Sequence, residues 1–571
     1  MTDLKLSLRH FLLAILLFVL AGILLTRANL AERDKKQKTP RGIRGQISKE
    51  ADETDLAEAK QFYFESRADL LRNRRASQCG SGLGLNNDES KANRHLVRLR
   101  DKLISDYKQR GAFPPAEYFF AAKPHIESTE LFQILREMPK GGILHIHTSS
   151  TGRASWVVEN AASRPNCYVY WEDDNGDHLK GQLGFYESGS EPTGFRPVQQ
   201  VRDEVADFDQ QLLGLITLGE QDARAPDVWK RFGDIFHRLH GFLHYQPVFL
   251  DYYRDAFETL LNDNIQYVEL RAGLGTLYDL TGKKWTPLES VGFFKQVRNR
   301  VREKHPEFDL KLIASFYREA DRQSVWENLK QTMELRNIHP NFVIGYDLVG
   351  EEDTGHTTLY YLDDWLRLRT LEHEYRIDLP FYFHDGESDW PDDENLYDAY
   401  LLGCRRIGHG FALFRSPHLE QDIVKAGIAL EVCPVSNQVL HYVGDLRIHP
   451  AAGYLARGVP CVIGSDDPAI FGNEGLSYDF WEAVVAWELD LKAVKQLVLN
   501  SFQYSAMTQQ EKDLAEASWE KKWEEFIKSV LARAENAEAG GGETGGDETG
   551  STKAATGGRA TIKPRPVVAP Q

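Results

Sequence analysis

A chain of 571 residues with 42% hydrophobic side chains is long enough for one large domain with additions and can bury a real core. Its formal net charge of -17 excludes a general nucleic-acid binder, because phosphate recognition needs a basic surface. The five cysteines (Cys79, Cys167, Cys404, Cys433 and Cys461) form no C-x-x-C pair, which excludes a thiolate zinc knuckle and argues against a disulfide framework.

Residues 1–31 read as a targeting element. Lys5, Arg9 and His10 precede the apolar run from Phe11 to Leu25, which is short for a spanning helix and right for the core of a signal peptide or anchor. The expected location is extracytoplasmic: secreted, periplasmic or anchored to a membrane. Residues 32–50 form a basic linker. Residues 51–115 form a helical extension with two amphipathic patterns, Ala51–Ala76 and Asn93–Gln109, suited either to packing on the main domain or to forming a homodimer.

From Gly142 onward, short apolar runs alternate with helical patterns. The runs are Ile143–Thr148, Tyr267–Ala272, Lys311–Phe316, Val343–Val349, Pro380–His384, Arg406–His409, Ala429–Cys433 and Pro460–Ser465. Eight such units over residues 116–534 predict an α/β fold, a (β/α)8 TIM barrel with its site at the C-terminal ends of the strands. A stretch at about 164–214 interrupts the first unit and reads as an inserted subdomain over the barrel mouth. The helical run Val228–Leu261 then returns the chain to the barrel. Leu491–Ser505 and Gln510–Ala534 close it, and the Gly-rich stretch 535–571 reads as a disordered low-complexity tail.

The chemistry gathers at predicted strand ends. His145 and His147 are two apart on the first strand, so their side chains share a face. The fifth strand ends at His384 and the eighth at Asp466. Three imidazoles and one carboxylate suit one catalytic zinc, which brings the pKa of a water towards ~7. The fourth strand has no lysine to bridge a second metal. Glu387, three residues after His384, can move a proton, and His409 ends the sixth strand beside it. Asp466 can also accept a proton, and Asp467 remains for the substrate. The set fits addition of water to a C=N bond with loss of ammonia.

The motifs His145-Ile-His147, His384-Asp-Gly-Glu387, Gly408-His-Gly410 and Ser465-Asp-Asp-Pro468, in this order, resemble the adenosine deaminase family. Met138–His145, Tyr346–His356, Arg406–Leu413, Glu431–Gln438 and Ser465–Gly472 resemble its secreted branch, the adenosine deaminase-related growth factors. The resemblance runs from about Leu56 to Leu531. It implies hydrolytic deamination of adenosine, and of 2′-deoxyadenosine, with one zinc per chain on His145, His147, His384 and Asp466. It further implies that Glu387 protonates purine N1, that His409 sits beside the attacking water, that Asp467 contacts N7 and that the Gly350 amide faces N3. Trp229 and Thr148 complete the substrate-facing set, and the helical extension is implied to dimerise.

Three positions depart from the family pattern. Thr148 stands where the family carries a ribose-binding aspartate. The branch has a disulfide in its insert, where this chain has Cys167 alone. Asp385 replaces the usual alanine, which leaves an outer-sphere role and plain solvent exposure both open. The alternatives to adenosine deamination are a deaminase of another aminopurine or modified nucleoside, and a non-catalytic growth-factor-like binding protein.

Overall fold

The eight apolar runs supply eight parallel strands, the fifth run reaching its strand only at His384 after a lone bridge at Phe381. In the computed structural model, which describes residues 53–172 and 179–540, they are β1 Gly141–His147, β2 Ile265–Ala272, β3 Asp309–Tyr317, β4 Val343–Val349, β5 His384–Asp385, β6 Arg406–His409, β7 Ala429–Val432 and β8 Cys461–Ile463. The ladders join β1 through β4 and β5 through β8, each in sequence order. Parallel bridges Tyr346↔Phe381 and Ile146↔Asp466 connect the two halves and close the barrel. Strands covered on both faces read as near-continuous apolar stretches, which is why the sequence marks them so clearly. All eight residues of β2 are buried.

Helices wrap the strands, among them Pro287–Arg302 after β2, Arg322–Ile338 after β3 and Leu362–Tyr375 after β4. The run from Val228 to Leu261 is two helices, Val228–Leu243 and Gln246–Asn262, and not one. Pro247 is the physical reason. It lacks an N–H and fits only the first turn, so a new helix starts there.

The insert forms a three-stranded antiparallel sheet with Cys167–Tyr170 central between Leu183–Phe185 and Phe195–Pro197. It is seated on the helix Val228–Leu243, where Arg238 donates to the carbonyls of Lys180 (2.8 Å) and Leu215 (2.9 Å). Phe185 stacks on Tyr245 with centroids 4.2 Å apart. The Leu218 N–H reaches the Ile470 carbonyl, in the loop after β8, at 3.0 Å.

The helix Asn87–Arg110 is started by a capping box between Asn86 and Glu89. It packs on the closing helices: Glu89 accepts from Lys495 Nζ (2.6 Å) and Trp523 Nε1 (2.8 Å). The last helix, Gln509–Gly540, continues past residue 535, because the sequence Glu-Asn-Ala-Glu-Ala is made largely of helix formers. Its Trp519 donates to the Pro139 carbonyl at 2.9 Å, just ahead of β1. The helix Glu53–Ser77 belongs to a separate unit and buries none of its residues; Leu56, Phe62, Tyr63, Phe64 and Leu70 are exposed. The Phe11–Leu25 run, the basic linker and residues 541–571 lie outside the described residues. Among the described residues no helix is long and apolar enough to cross a membrane.

Candidate active site

Side chains of the strand ends converge at the barrel mouth. His145 is fully buried and His147 partly so, and their rings lie 4.6 Å and 5.1 Å from that of His384. His145 Nε2 and His147 Nε2 approach the same oxygen, Asp466 Oδ1, at 3.3 and 3.0 Å. His145, His384, His409 and Asp466 each present a ligand atom within 4.8 Å of one another. An overlapping group contains His147, Asp466 and Asp467. Distance alone brings His409 as close to the centre as His147.

Hydrogen bonds distinguish the imidazoles. His145 Nδ1 donates to Glu431 Oε2, and His384 Nδ1 donates to Asp347 Oδ2, both at 2.8 Å. A carboxylate only accepts, so each Nδ1 carries the proton and each Nε2 keeps a lone pair for a metal. His145 Nε2 has no hydrogen-bond partner despite complete burial, as a ligand atom would.

His409 is set the opposite way. The Ala451 N–H donates to His449 Nδ1 at 3.1 Å, so His449 Nε2 holds a proton and donates to Asn437 Oδ1 at 3.0 Å. Asn437 is thereby oriented with its Nδ2 donating to His409 Nδ1 at 3.2 Å. Burial holds the His449 imidazole down to about 3, and His409 is also held well below its ordinary value, so both are neutral. His409 Nε2 therefore carries a proton and points it towards Glu387 Oε1, 3.4 Å away. It is a donor where the other two are acceptors.

Glu387 is placed by Gly386, whose φ of +74° suits a residue without a side chain; a Cβ there would meet Leu396 at 2.7 Å. The Gly386 and Glu387 amides donate to the two oxygens of Glu352 at 2.9 and 2.6 Å. Burial, and then the charges of Asp466 and Glu352, push the Glu387 carboxyl well above the usual range. Burial and Asp466 do the same to Asp467, whose Oδ1 accepts from Ser150. Burial also works against a charged Asp466, yet the imidazoles of His145 and His147 set against it keep it well below the usual range. Adjacent carboxyls are thus driven apart, one charged and one neutral.

The remaining candidates lie around this centre. Gly350 follows β4 directly with φ +111°. Thr148 is half-buried after β1, and its carbonyl accepts from Tyr253 Oη at 3.1 Å. Trp229, half-buried in the first turn of Val228–Leu243, faces Tyr442 edge-on with centroids 6.4 Å apart. Asp385 is fully buried, not solvent-exposed. Thr358 Oγ1 donates to it at 2.6 Å and Arg318 lies 3.6 Å away.

Sequence reasoning missed the supports: Asp347, Glu431, Arg271, Asn437 and His449. Their one signal was position, since Asp347 and Glu431 are charges inside otherwise apolar strands, where a charge must have a partner.

A closed (β/α)8 barrel with three imidazoles and a carboxylate converging at its mouth, beside a neutral glutamic acid, defines a mononuclear metal-dependent hydrolase. Residues 218–517 match the family described as "Adenosine deaminase", and residues 15–135 match "Adenosine/AMP deaminase N-terminal". A relative from Sus scrofa, adenosine deaminase 2, is 39% identical over 480 residues, covering 81% of this chain and 93% of its own. Two solved structures share the fold at low identity. The Arabidopsis ADAL protein complexed with IMP is 18% identical with a TM-score of 0.50, covering 69% of this chain and 99% of its own. A Burkholderia ambifaria amidohydrolase with bound zinc is 15% identical with a TM-score of 0.50, covering 70% and 95%. The chain belongs to the adenosine deaminase family, in its growth-factor-related branch. Its cofactor is one zinc ion, which the nitrogen-rich donor set fits.

Two outcomes follow for the purified protein. It should carry about one zinc per chain by elemental analysis, and His384→Ala should lose most of it; a fully active preparation with two equivalents would contradict a mononuclear site. Asn437→Asp replaces a donor by an acceptor opposite His409 Nδ1 and so reverses that tautomer. Zinc content should stay the same while turnover drops by about 10²–10⁴-fold, the usual worth of a positioned proton donor.

Proposed function

We propose that this chain catalyses the hydrolytic deamination of adenosine, and of 2′-deoxyadenosine, to the corresponding inosine and ammonia. The observation that carries the reading is the buried Glu387 carboxyl, pushed well above the usual range by burial and neighbouring charges, 3.4 Å from the His409 donor at the edge of a metal-binding centre.

In this reading His145, His147, His384 and Asp466 hold the zinc, which when bound supplies the Lewis acidity that makes a water acidic near neutral pH. His409, with its proton on Nε2, stands outside the ligand set and orients the attacking oxygen. The purine presents acceptors at N1, N3 and N7, and each meets a donor. Glu387 gives its proton to N1, which draws electrons from C6 and opens it to attack. The Gly350 N–H meets N3. Asp467, kept protonated by its charged neighbour Asp466, donates to N7. Asp466 accepts one proton of the attacking water and passes it to the amino group, which leaves C6 as ammonia, while the proton left on the C6 oxygen returns to Glu387. Trp229 and Tyr442 form an aromatic wall beside the pocket.

The chain is also proposed to act outside the cytoplasm, on the strength of the Phe11–Leu25 run, and as a homodimer, with the exposed apolar side chains of Glu53–Ser77 as the contact. Thr148 favours one second reading, a related aminopurine or modified nucleoside as substrate, because an uncharged hydroxyl stands where the family's ribose-binding aspartate does.

The direct test is ammonia release from adenosine by zinc-loaded protein, run beside 2′-deoxyadenosine, adenine and AMP. Glu387→Gln should keep its zinc and lose about 10²–10⁴-fold in kcat; near wild-type turnover would remove Glu387 from the mechanism. Thr148→Asp should lower KM for adenosine by up to about tenfold with kcat little changed, the pattern of added uniform binding. An unchanged KM would mean that Thr148 does not face the sugar.

A further inference from the structure

Four carboxylates stand together near the rim of the barrel mouth: Asp227, Glu319, Glu351 and Asp353, the last three in the segments that follow β3 and β4. Three are occupied. Asp227 accepts from the Lys230 N–H at 2.8 Å, Glu351 from Thr354 Oγ1 at 2.7 Å and Asp353 from Ser388 Oγ at 2.5 Å. Glu319 is exposed, and among the described residues its carboxylate has no hydrogen bond or ion pair. A Cβ built on Gly350 would lie 2.9 Å from Glu319 Oε1 and 3.0 Å from Oε2, so both carboxylate oxygens stand beside the Gly350 backbone.

That contact has a chemical meaning if the Gly350 amide meets purine N3, the reading given above on which this inference rests. N3 of an adenine nucleoside lies on the same edge as the ribose 2′-hydroxyl, the edge that duplexes turn to the minor groove. A carboxylate against Gly350 is therefore on the sugar side of the base, next to a hydroxyl donor. We propose that Glu319 accepts a hydrogen bond from the 2′-hydroxyl of the bound nucleoside and is the residue by which this chain distinguishes adenosine from 2′-deoxyadenosine. A free carboxylate is a strong acceptor for a hydroxyl, and Glu319, after β3, supplies a charge-assisted contact that the uncharged Thr148, after β1, cannot make.

The test compares the wild type, Glu319→Ala and Glu319→Gln on adenosine and 2′-deoxyadenosine. In Glu319→Ala, KM for adenosine should rise about tenfold with kcat kept, the size of one charge-assisted hydrogen bond. The constants for 2′-deoxyadenosine should stay at their wild-type values, which also shows that the variant is folded. Glu319→Gln, which retains an accepting oxygen, should fall between. Equal changes on the two substrates, or no change on either, would overturn the role of Glu319 while leaving the deaminase reading intact. A wild-type protein that releases ammonia from neither nucleoside would overturn both.

Discussion

The site depends on a line of buried charges beneath it. Asp347, Arg271, Glu431, Arg406 and Glu269 alternate in sign across the barrel interior, all with side chains essentially inaccessible to solvent. Arg271 joins Asp347 (2.7 Å) to Glu431, and Arg406 joins Glu431 to Glu269, both at 2.6 Å. Burial raises the cost of a charged Glu431, but the two guanidiniums hold it well below the usual range. Asp347, at one end of this line, fixes His384, and Glu431, at its centre between the two guanidiniums, fixes His145. Removing one member would strand its neighbours as unpaired buried charges, a loss of about 3–5 kcal/mol. The network therefore both stabilises the barrel core and determines which imidazole nitrogens are free.

The backbone also conforms to the site. His409 and Asp466 are among the few non-glycine residues with positive φ, at +57° and +60°. Such conformations disfavour L-residues and persist where the surroundings over-determine them. Here Asn437 holds the His409 ring, and Ser436 Oγ donates to Asp466 Oδ2 at 2.7 Å. Both supports come from the short helix Pro434–Val439 after β7, so one element aligns the turns that end β6 and β8.

The barrel was legible because each strand is a local apolar signal, and His145, His384, Glu387, His409 and Asp466 because they sit at the ends of those signals. What the sequence could not provide was partnership across the barrel. The separation of His145 from Glu431 is 286 residues, and nothing local in either segment names the other. Asp385 is a similar case. Its environment is decided by Arg318 and Thr358, which come from other units, so burial and exposure read alike in the sequence. The break at His244–Tyr245 is different, since Pro247 was available as a signal and the apolar periodicity on both sides of it obscured its effect.

The insert carries one further consequence, through its single cysteine. Cys167 is buried in the central strand with its thiol pushed up to about 12, chiefly by burial, and all five cysteines of the chain are free. Hydrogen bonds and stacked rings hold this subdomain where a covalent cross-link could have done so. Its assembly has no oxidative step and no wrong pairing to correct, and neither glutathione nor dithiothreitol has a bond to cleave. The folded protein should be indifferent to the redox state of the compartment in which it is made.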